Sequence, residues 1–277
     1  MAGILEDKVA IVTGSARGIG RATAELLSEQ GARVLINDLD GDAAVQTAGE
    51  IAGETAVHAG DLTRSGAADE LVQAAIDAWG KIDIIVNNAG YTIDAPIHKM
   101  SDDAFQKMLD IHTIVPFRVI RAAAPHLREP AKAERERGEE VFRKIVNVSS
   151  ISGTMGNAGQ ANYSAGKNAV VGLTKTLAKE WGQFKINVNA VAFGFVETRL
   201  TAAKEEAGTF QGKEGKEIQL GIPDQLRGMA SMLIPLGRPG TPAEAAGGVF
   251  FLCSPWSNYV HGQTLNITGG QFTGMTT

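Results

Sequence analysis

A doubly wound parallel α/β sheet with helices on both faces is the fold class this sequence predicts, on three observations. Short runs rich in Val and Ile recur along the chain, segments of helical spacing lie between them, and a Gly-rich turn joins the first run to the first helix. Strands buried on both faces read as continuous apolar runs, and their alternation with helices builds parallel βαβ units.

The first strand is Val9 to Val12, and a helix follows over Arg21 to Gln30. Arg33 to Ile36 and Ala56 to Ala59 read as the second and third strands, with a helix at Ala67 to Trp79. Ile82 to Val86 is the fourth strand, and Phe105 to Leu127 has helical spacing. Ile145 to Val148 and Ile186 to Val191 complete the set. Between them runs a helix from Ala165 to Trp181, with Val170, Leu173, Leu177 and Trp181 on one stripe.

Two segments break the rhythm. Residues 128–144, REPAKAERERGEEVFRK, carry six basic and five acidic side chains and read as a charged, solvated insertion that can be helical. Residues 199–233 contain two Gly-punctuated charged stretches and then the apolar MASMLI, which suits a substrate lid. No internal repeat and no Pro/Gly/Ser linker marks a boundary, so residues 1–277 read as a single domain.

Composition narrows the function classes. With 26 basic against 31 acidic residues the net charge is −5, which gives no electrostatic argument for nucleic acid or an anionic membrane. The lone cysteine, Cys253, makes neither an intrachain disulfide nor a Cys-rich metal site, which fits a cytoplasmic location and no metal. Glu6 and Asp7 lead straight into a short apolar run, so neither a signal peptide nor a membrane span is expected.

Three motifs and two carboxylates carry chemistry. In TGSARGIG, Gly14, Gly18 and Gly20 let the backbone turn tightly and approach a pyrophosphate, whose charge meets the amides opening the next helix. The spacing is G-x-x-x-G-x-G, a variant of the commonest dinucleotide fingerprint, and with strand before and helix after it makes the sheet Rossmann-like. Asp38 ends the second strand, where a carboxylate accepts both ribose hydroxyls and repels a 2′-phosphate; this argues for NAD. Arg17 in the turn could neutralise such a phosphate, so NADP stays open. Asp61, closing the third strand, can accept the adenine amino group or cap a turn. NNAG, residues 87–90, follows the fourth strand at the sheet's ligand-binding end.

The last motif is ANYSAGK. Tyr163 and Lys167 are four residues apart on one helix face, and Ser149 and Ser150 end the strand ahead of them. A phenol titrates near about 10, so lowering it by roughly three units takes about 4 kcal/mol, part of which Lys167 can supply.

TGSARGIG, NNAG, a Ser ahead of YSAGK, and the closing IPLGRPGTPAEAAGGVFFLCSPWSNYVHGQTLNITGG together resemble the short-chain dehydrogenase/reductase superfamily from about residue 5 to 270. VSSISGTMGNAGQANYSAGK is most similar to 3-oxoacyl-[acyl-carrier-protein] reductases, and INDLDGD to (3R)-hydroxyacyl-CoA dehydrogenases. The resemblance implies an NAD(H)-dependent enzyme, with NADP not excluded, interconverting a 3-oxoacyl thioester and its 3-hydroxyacyl form. The alternative is a dehydrogenase of a sugar, polyol or steroid. A redox-sensing binding protein without turnover would be expected to lack Tyr163 or Lys167, and both are present.

By the same resemblance Tyr163 is the general acid and base, Lys167 tunes it and holds the nicotinamide ribose, and Ser150 hydrogen-bonds the substrate oxygen. Gly14, Ser15, Arg17, Gly18, Ile19 and Gly20 would surround the pyrophosphate, Asp38 the adenosine ribose, and Asp61 and Leu62 the adenine. Asn88, Ala89 and Gly90 would border the other ribose, and Val196 and Thr198 the carboxamide. His112 stands where the superfamily usually has an Asn whose main-chain carbonyl holds a relay water. Pro116, four residues on, brings no N–H to that carbonyl. The expectation is therefore that His112 serves through its backbone, its imidazole being a bystander or an extra proton carrier. Phe193 stands where Pro is usual. Arg143, Lys144 and Lys185 are candidates for docking an acidic acyl carrier protein, CoA thioesters remain open, and a homotetramer is implied.

Overall fold

Seven strands line up in parallel in the order β3-β2-β1-β4-β5-β6-β9, with helices covering both faces. A computed structural model describes residues 3–199, 201–202, 208–211, 217–219, 221, 228 and 232–271. The strands are β1 (Val9–Thr13), β2 (Arg33–Asp38), β3 (Thr55–Ala59), β4 (Ile84–Asn87), β5 (Arg143–Ser150), β6 (Ile186–Phe193) and β9 (Thr264–Ile267). A separate antiparallel pair joins β7 (Thr209–Gln211) to β8 (Glu217–Gln219).

Side chains alternate across the sheet, as a pleated strand requires. Val12, Ile36, Val86 and Val146 face one core, packed by α1 (Gly18–Glu29), α2 (Gly41–Glu50) and the late helix α8 (Pro242–Cys253). Ile11, Leu35, Ile85 and Ile145 face the other, covered by α3 (Ala67–Trp79), α5 (Val115–Glu136) and α7 (Ala161–Trp181). At the middle of the sheet neither face meets water, so β1, β2 and β4 are apolar at consecutive positions, while the edge strands β3 and β9 are partly exposed.

Several boundaries differ from those read in the sequence. The single helix expected over Phe105 to Leu127 is three pieces: α4 (Asp102–Leu109), a π-helical turn Asp110–Ile114, and α5, which opens with Pro116 in its first turn. A π turn widens the ladder, and the Val115 N–H reaches back to the Asp110 carbonyl. A short helix, α6 (Ile151–Met155), follows β5 directly.

The charged segment 128–144 is not a solvated insertion throughout. Its first part continues α5 to Glu136, and its last two residues, Arg143 and Lys144, begin β5 and are buried. Arg143 makes a two-pronged pair with Glu134 at 2.7 and 2.8 Å. Lys144 donates to Asn187, Ser257 and Asn258, and burial pulls its ammonium down to about 8. Lys185 remains exposed, paired with Glu140. All three lie at the amino ends of β5 and β6, roughly 23 Å along the strand from Ser150 at about 3.3 Å per residue. The expected docking role is thereby corrected: these cations are at the wrong end of the sheet. Most of the lid expected at 199–233 lies outside the described residues.

Candidate functional site

The order of the sheet reverses between β1 and β4, and a crevice opens there beyond the carboxyl ends of the strands. A cleft of about 290 Å³ fills it, walled by the turn after β1, the ends of β2 and β3, the segment after β4, and Thr198 and Arg199.

The turn after β1 has the shape its glycines suggest. Gly14 and Gly18 take φ of 63° and 58°, and a Cβ at Gly20 would lie 2.1 Å from the Gly14 carbonyl oxygen. The β4 segment holds this turn. Asn88 Nδ2 donates to the carbonyls of Thr13 and Gly14 at 3.0 and 2.9 Å, while Thr13 Oγ1 accepts from the backbone N–H of Asn88 and Ala89.

Most of the expected cofactor residues converge on this cleft: Gly14, Arg17, Gly18, Ile19, Gly20, Asp38, Asp61, Leu62, Asn88, Ala89, Gly90 and Thr198 all line it. Ser15 and Val196 lie behind the wall. Ser15 is fully buried, and its hydroxyl donates to the Val12 carbonyl, which staples the turn; Val196 packs into the core. Asp38 accepts the N–H of Ala16 at 3.1 Å and of Asp40 at 3.2 Å, which orients its carboxylate. Arg17 pairs with Asp40 at 2.7 Å. Asp61 caps its own turn, with Oδ1 accepting from the Thr63 N–H and hydroxyl at 2.8 and 2.7 Å. These surfaces fit a dinucleotide: backbone approaches closely at the turn, and a carboxylate waits at the end of β2.

Beyond Gly90 and Tyr91 lie the polar groups of the last motif. Ser150 caps α6 by accepting the Ser152 N–H at 3.1 Å, so its own proton remains to donate. It lies close enough to the Tyr163 phenol to favour the ionised form of that group. Lys167 is buried and donates to the Val148 carbonyl at 2.7 Å, with Nζ 5.7 Å from the centre of the Tyr163 ring. Ser149 ties β5 to α7 by donating to the Lys167 carbonyl at 2.6 Å.

The phenol is not lowered here, contrary to what the spacing suggests. Burial pushes Tyr163 up to about 12, with Ser150 opposing, and burial pulls Lys167 down to about 7. Desolvation is the largest cause for both, since each group would have to hold charge away from water. The pair is therefore set up as a protonated phenol beside an ammonium that loses its charge near neutrality.

His112 sits in the π turn, buried, with Nε2 2.7 Å from the Tyr91 carbonyl and its ring edge-on to Tyr163 at 4.9 Å. Burial first, and then the charge of Lys167, hold His112 well below the usual histidine range. Sequence reading missed Thr13 as the hub of the turn and Tyr91 as the anchor of the imidazole. A Thr closing β1 ahead of Gly14 was a usable signal; Tyr91 had none beyond following NNAG. Among the described residues, no helix is long and apolar enough to cross a membrane, and no group of three or more His, Cys, Asp or Glu is placed to hold a metal.

The family model described as enoyl-(acyl carrier protein) reductase matches residues 14–271. The chain is 37% identical over 269 residues to a 3-oxoacyl-[acyl-carrier-protein] reductase of Vibrio cholerae, covering 97% of this chain and 98% of that protein. It is 38% identical over 272 residues to the enzyme of the same name from Aquifex aeolicus, covering 97% and 98%. A crystal structure of 3-ketoacyl-(acyl-carrier-protein) reductase from Brucella melitensis, complexed with NADH, superposes with a TM-score of 0.82 at 29% identity, covering 96% of this chain and 99% of that one.

Proposed function

The chain belongs to the short-chain dehydrogenase/reductase family, and from that premise we propose an NAD(H)-dependent oxidoreductase that interconverts a 3-oxoacyl thioester and its 3-hydroxyacyl thioester. One observation carries the reading: Ser150, Tyr163 and Lys167 meet at the carboxyl end of the sheet, beside a cleft shaped for a dinucleotide. The nearly full-length relatives named for 3-oxoacyl thioesters favour carbonyl chemistry over the double-bond reduction in the family model's description.

In this reading nicotinamide supplies or takes the hydride. Tyr163 gives its phenolic proton to the substrate oxygen as that oxygen gains charge, and Ser150 donates a hydrogen bond to the same atom. The Lys167 ammonium stabilises the phenolate that results. A phenol held up at about 12 is a proton reservoir at neutral pH, which suits the reductive direction. The sign of the pH dependence follows from Lys167, charged below about 7 and neutral above. Reduction needs the charged form, so kcat/KM for reduction is expected to fall as pH rises through about 7; a profile that rises across that range would contradict it.

NAD over NADP rests on Asp38 at the cleft wall and on Arg17, whose guanidinium is occupied by Asp40. An Asp38→Ser variant is expected to lose roughly tenfold or more in preference for NADH over NADPH, read as the ratio of kcat/KM values. An unchanged ratio would remove Asp38 from the assignment. The defining experiment follows NADH and NADPH oxidation with acetoacetyl-CoA, longer 3-oxoacyl thioesters on CoA and on acyl carrier protein, an enoyl thioester, and a panel of sugars and steroids. The expected result is turnover of 3-oxoacyl thioesters alone, with NADH preferred; no thioester turnover would end the reading. A homotetramer, a cytoplasmic location and a lid at 199–233 belong to the same proposal.

A further inference from the structure

Asn162, the residue before Tyr163, is fully buried, and both protons and the oxygen of its side-chain amide are committed. Nδ2 donates to the Ile93 carbonyl at 2.9 Å and to the Ala104 carbonyl at 3.1 Å, while Oδ1 accepts the Tyr163 N–H at 2.8 Å. Carbonyls only accept and an N–H only donates, so these partners fix which way the amide points.

The Tyr163 N–H needs such a partner. The first N–H groups of a helix have no carbonyl one turn behind them, and α7 begins at Ala161. Gln160, at the cap position, makes no cap with its side chain. Its amide reaches outward and donates to Asp94 at 3.0 Å, while the Gly159 carbonyl accepts the Ala95 N–H at 2.8 Å. The start of α7 is thus tied to residues 93–95 by Asn162 on the inside and by these two bonds on the outside, and to α4 at Ala104. Ile93 and Tyr163 also pack against the same core. Gly90 and Tyr91, just ahead of Ile93, belong to the cleft wall. A continuous path of bonded and packed groups therefore runs from that wall, through Ile93 and Asn162, to the backbone that carries the phenol.

We infer that Asn162 is a positioning residue for the reaction: its buried amide pins the backbone of Tyr163 to the segment after β4 and so sets where the phenol stands relative to the cleft. This rests on the oxidoreductase reading. No proton passes through Asn162, which acts through Tyr163 alone. Transfer of a proton to a substrate oxygen is steep in distance, and a misplacement of about 1 Å costs on the order of 10²-fold in rate.

The test compares Asn162→Ala, which removes all three bonds, with Asn162→Asp, which keeps an acceptor for the Tyr163 N–H and loses both donors. Asn162→Ala is expected to lower kcat for acetoacetyl-CoA reduction roughly 10- to 100-fold and to raise the isotope effect seen with NADH deuterated at the transferred position. The thioester KM and the NADH affinity, read by fluorescence titration, stay within about twofold, a split that a general loosening of the fold would not give. Asn162→Asp is expected to fall with Asn162→Ala, because the bonds to Ile93 and Ala104 do the pinning. A kcat within about threefold of the parent in either variant would overturn the inference, as would loss of NADH affinity in step with kcat. Should neither variant fold, Gln160→Ala decides, since it cuts an outer tie and leaves the buried amide in place. A kcat lowered about threefold or more with NADH affinity kept supports the inference, and a kcat equal to the parent's refutes it. Hydrogen exchange followed by NMR reads the pin without turnover: protected Asn162 side-chain amide protons support it, and freely exchanging ones refute it. A parent chain that reduces no thioester therefore overturns the substrate reading, while the exchange result bears on Asn162 by itself.

Discussion

Tyr163→Phe is expected to lower kcat for thioester reduction by about 10²- to 10⁴-fold, the range by which a positioned proton donor speeds such a step. Only one oxygen is removed. The ring stays against His112 and near Lys167, so thioester KM and NADH affinity should hold while kcat falls. That split marks an interaction made in the transition state alone. Steady-state rates with acetoacetyl-CoA and a parallel NADH titration read it out. A variant keeping more than about a tenth of the parent kcat would show that the proton comes from another group.

Glu134→Ala should leave the chemistry intact and damage the fold, by about 3–5 kcal/mol of unfolding free energy. Glu134 and Arg143 have side chains only 15% and 7% exposed, and their two parallel hydrogen bonds tie α5 to the start of β5. Removing the carboxylate strands a guanidinium in the interior. Replacing both, as Glu134→Leu with Arg143→Met, should recover much of the loss, because the desolvated charge disappears with its partner. Urea unfolding measures both, and a Glu134→Ala loss below about 1 kcal/mol would show that Arg143 finds water or another partner. The kcat of the folded variant should match the parent, since this pair and Ser150 are at opposite ends of β5.

The parts of the molecule that were legible in advance are those in which one physical cause dominates. Strands buried on both faces advertise themselves as Val/Ile runs, so β1, β2, β3, β5 and β6 were placed within a few residues. The Gly-rich turn was legible because two of its glycines need left-handed backbone and another meets a carbonyl at 2.1 Å. Charge misled at Arg143 and Lys144. A run of basic residues normally means solvent, and here Glu134 neutralises one while Asn187, Ser257 and Asn258 satisfy the other, partners up to 114 positions away. The π turn at Asp110–Ile114 leaves no periodic trace, because five residues of altered spacing vanish inside a long amphipathic stretch. Tyr163, Lys167 and Ser150 could be paired by spacing, yet the direction of their proton affinities could not, since desolvation depends on how completely the neighbouring elements exclude water.

The two hydrogen bonds from Asn88 to the Thr13 and Gly14 carbonyls have a thermodynamic consequence for the cofactor. Glycines are the residues with most backbone freedom to lose, and a loop of them left loose would surrender that freedom each time a ligand arrived. Here Asn88, just after β4, immobilises the loop as part of folding, so in the proposed function the turn is preorganised and docking of a dinucleotide would carry little ordering entropy. On that proposal, affinity for the dinucleotide is stored in an amide one residue beyond the neighbouring strand, in a side chain already committed before any ligand arrives.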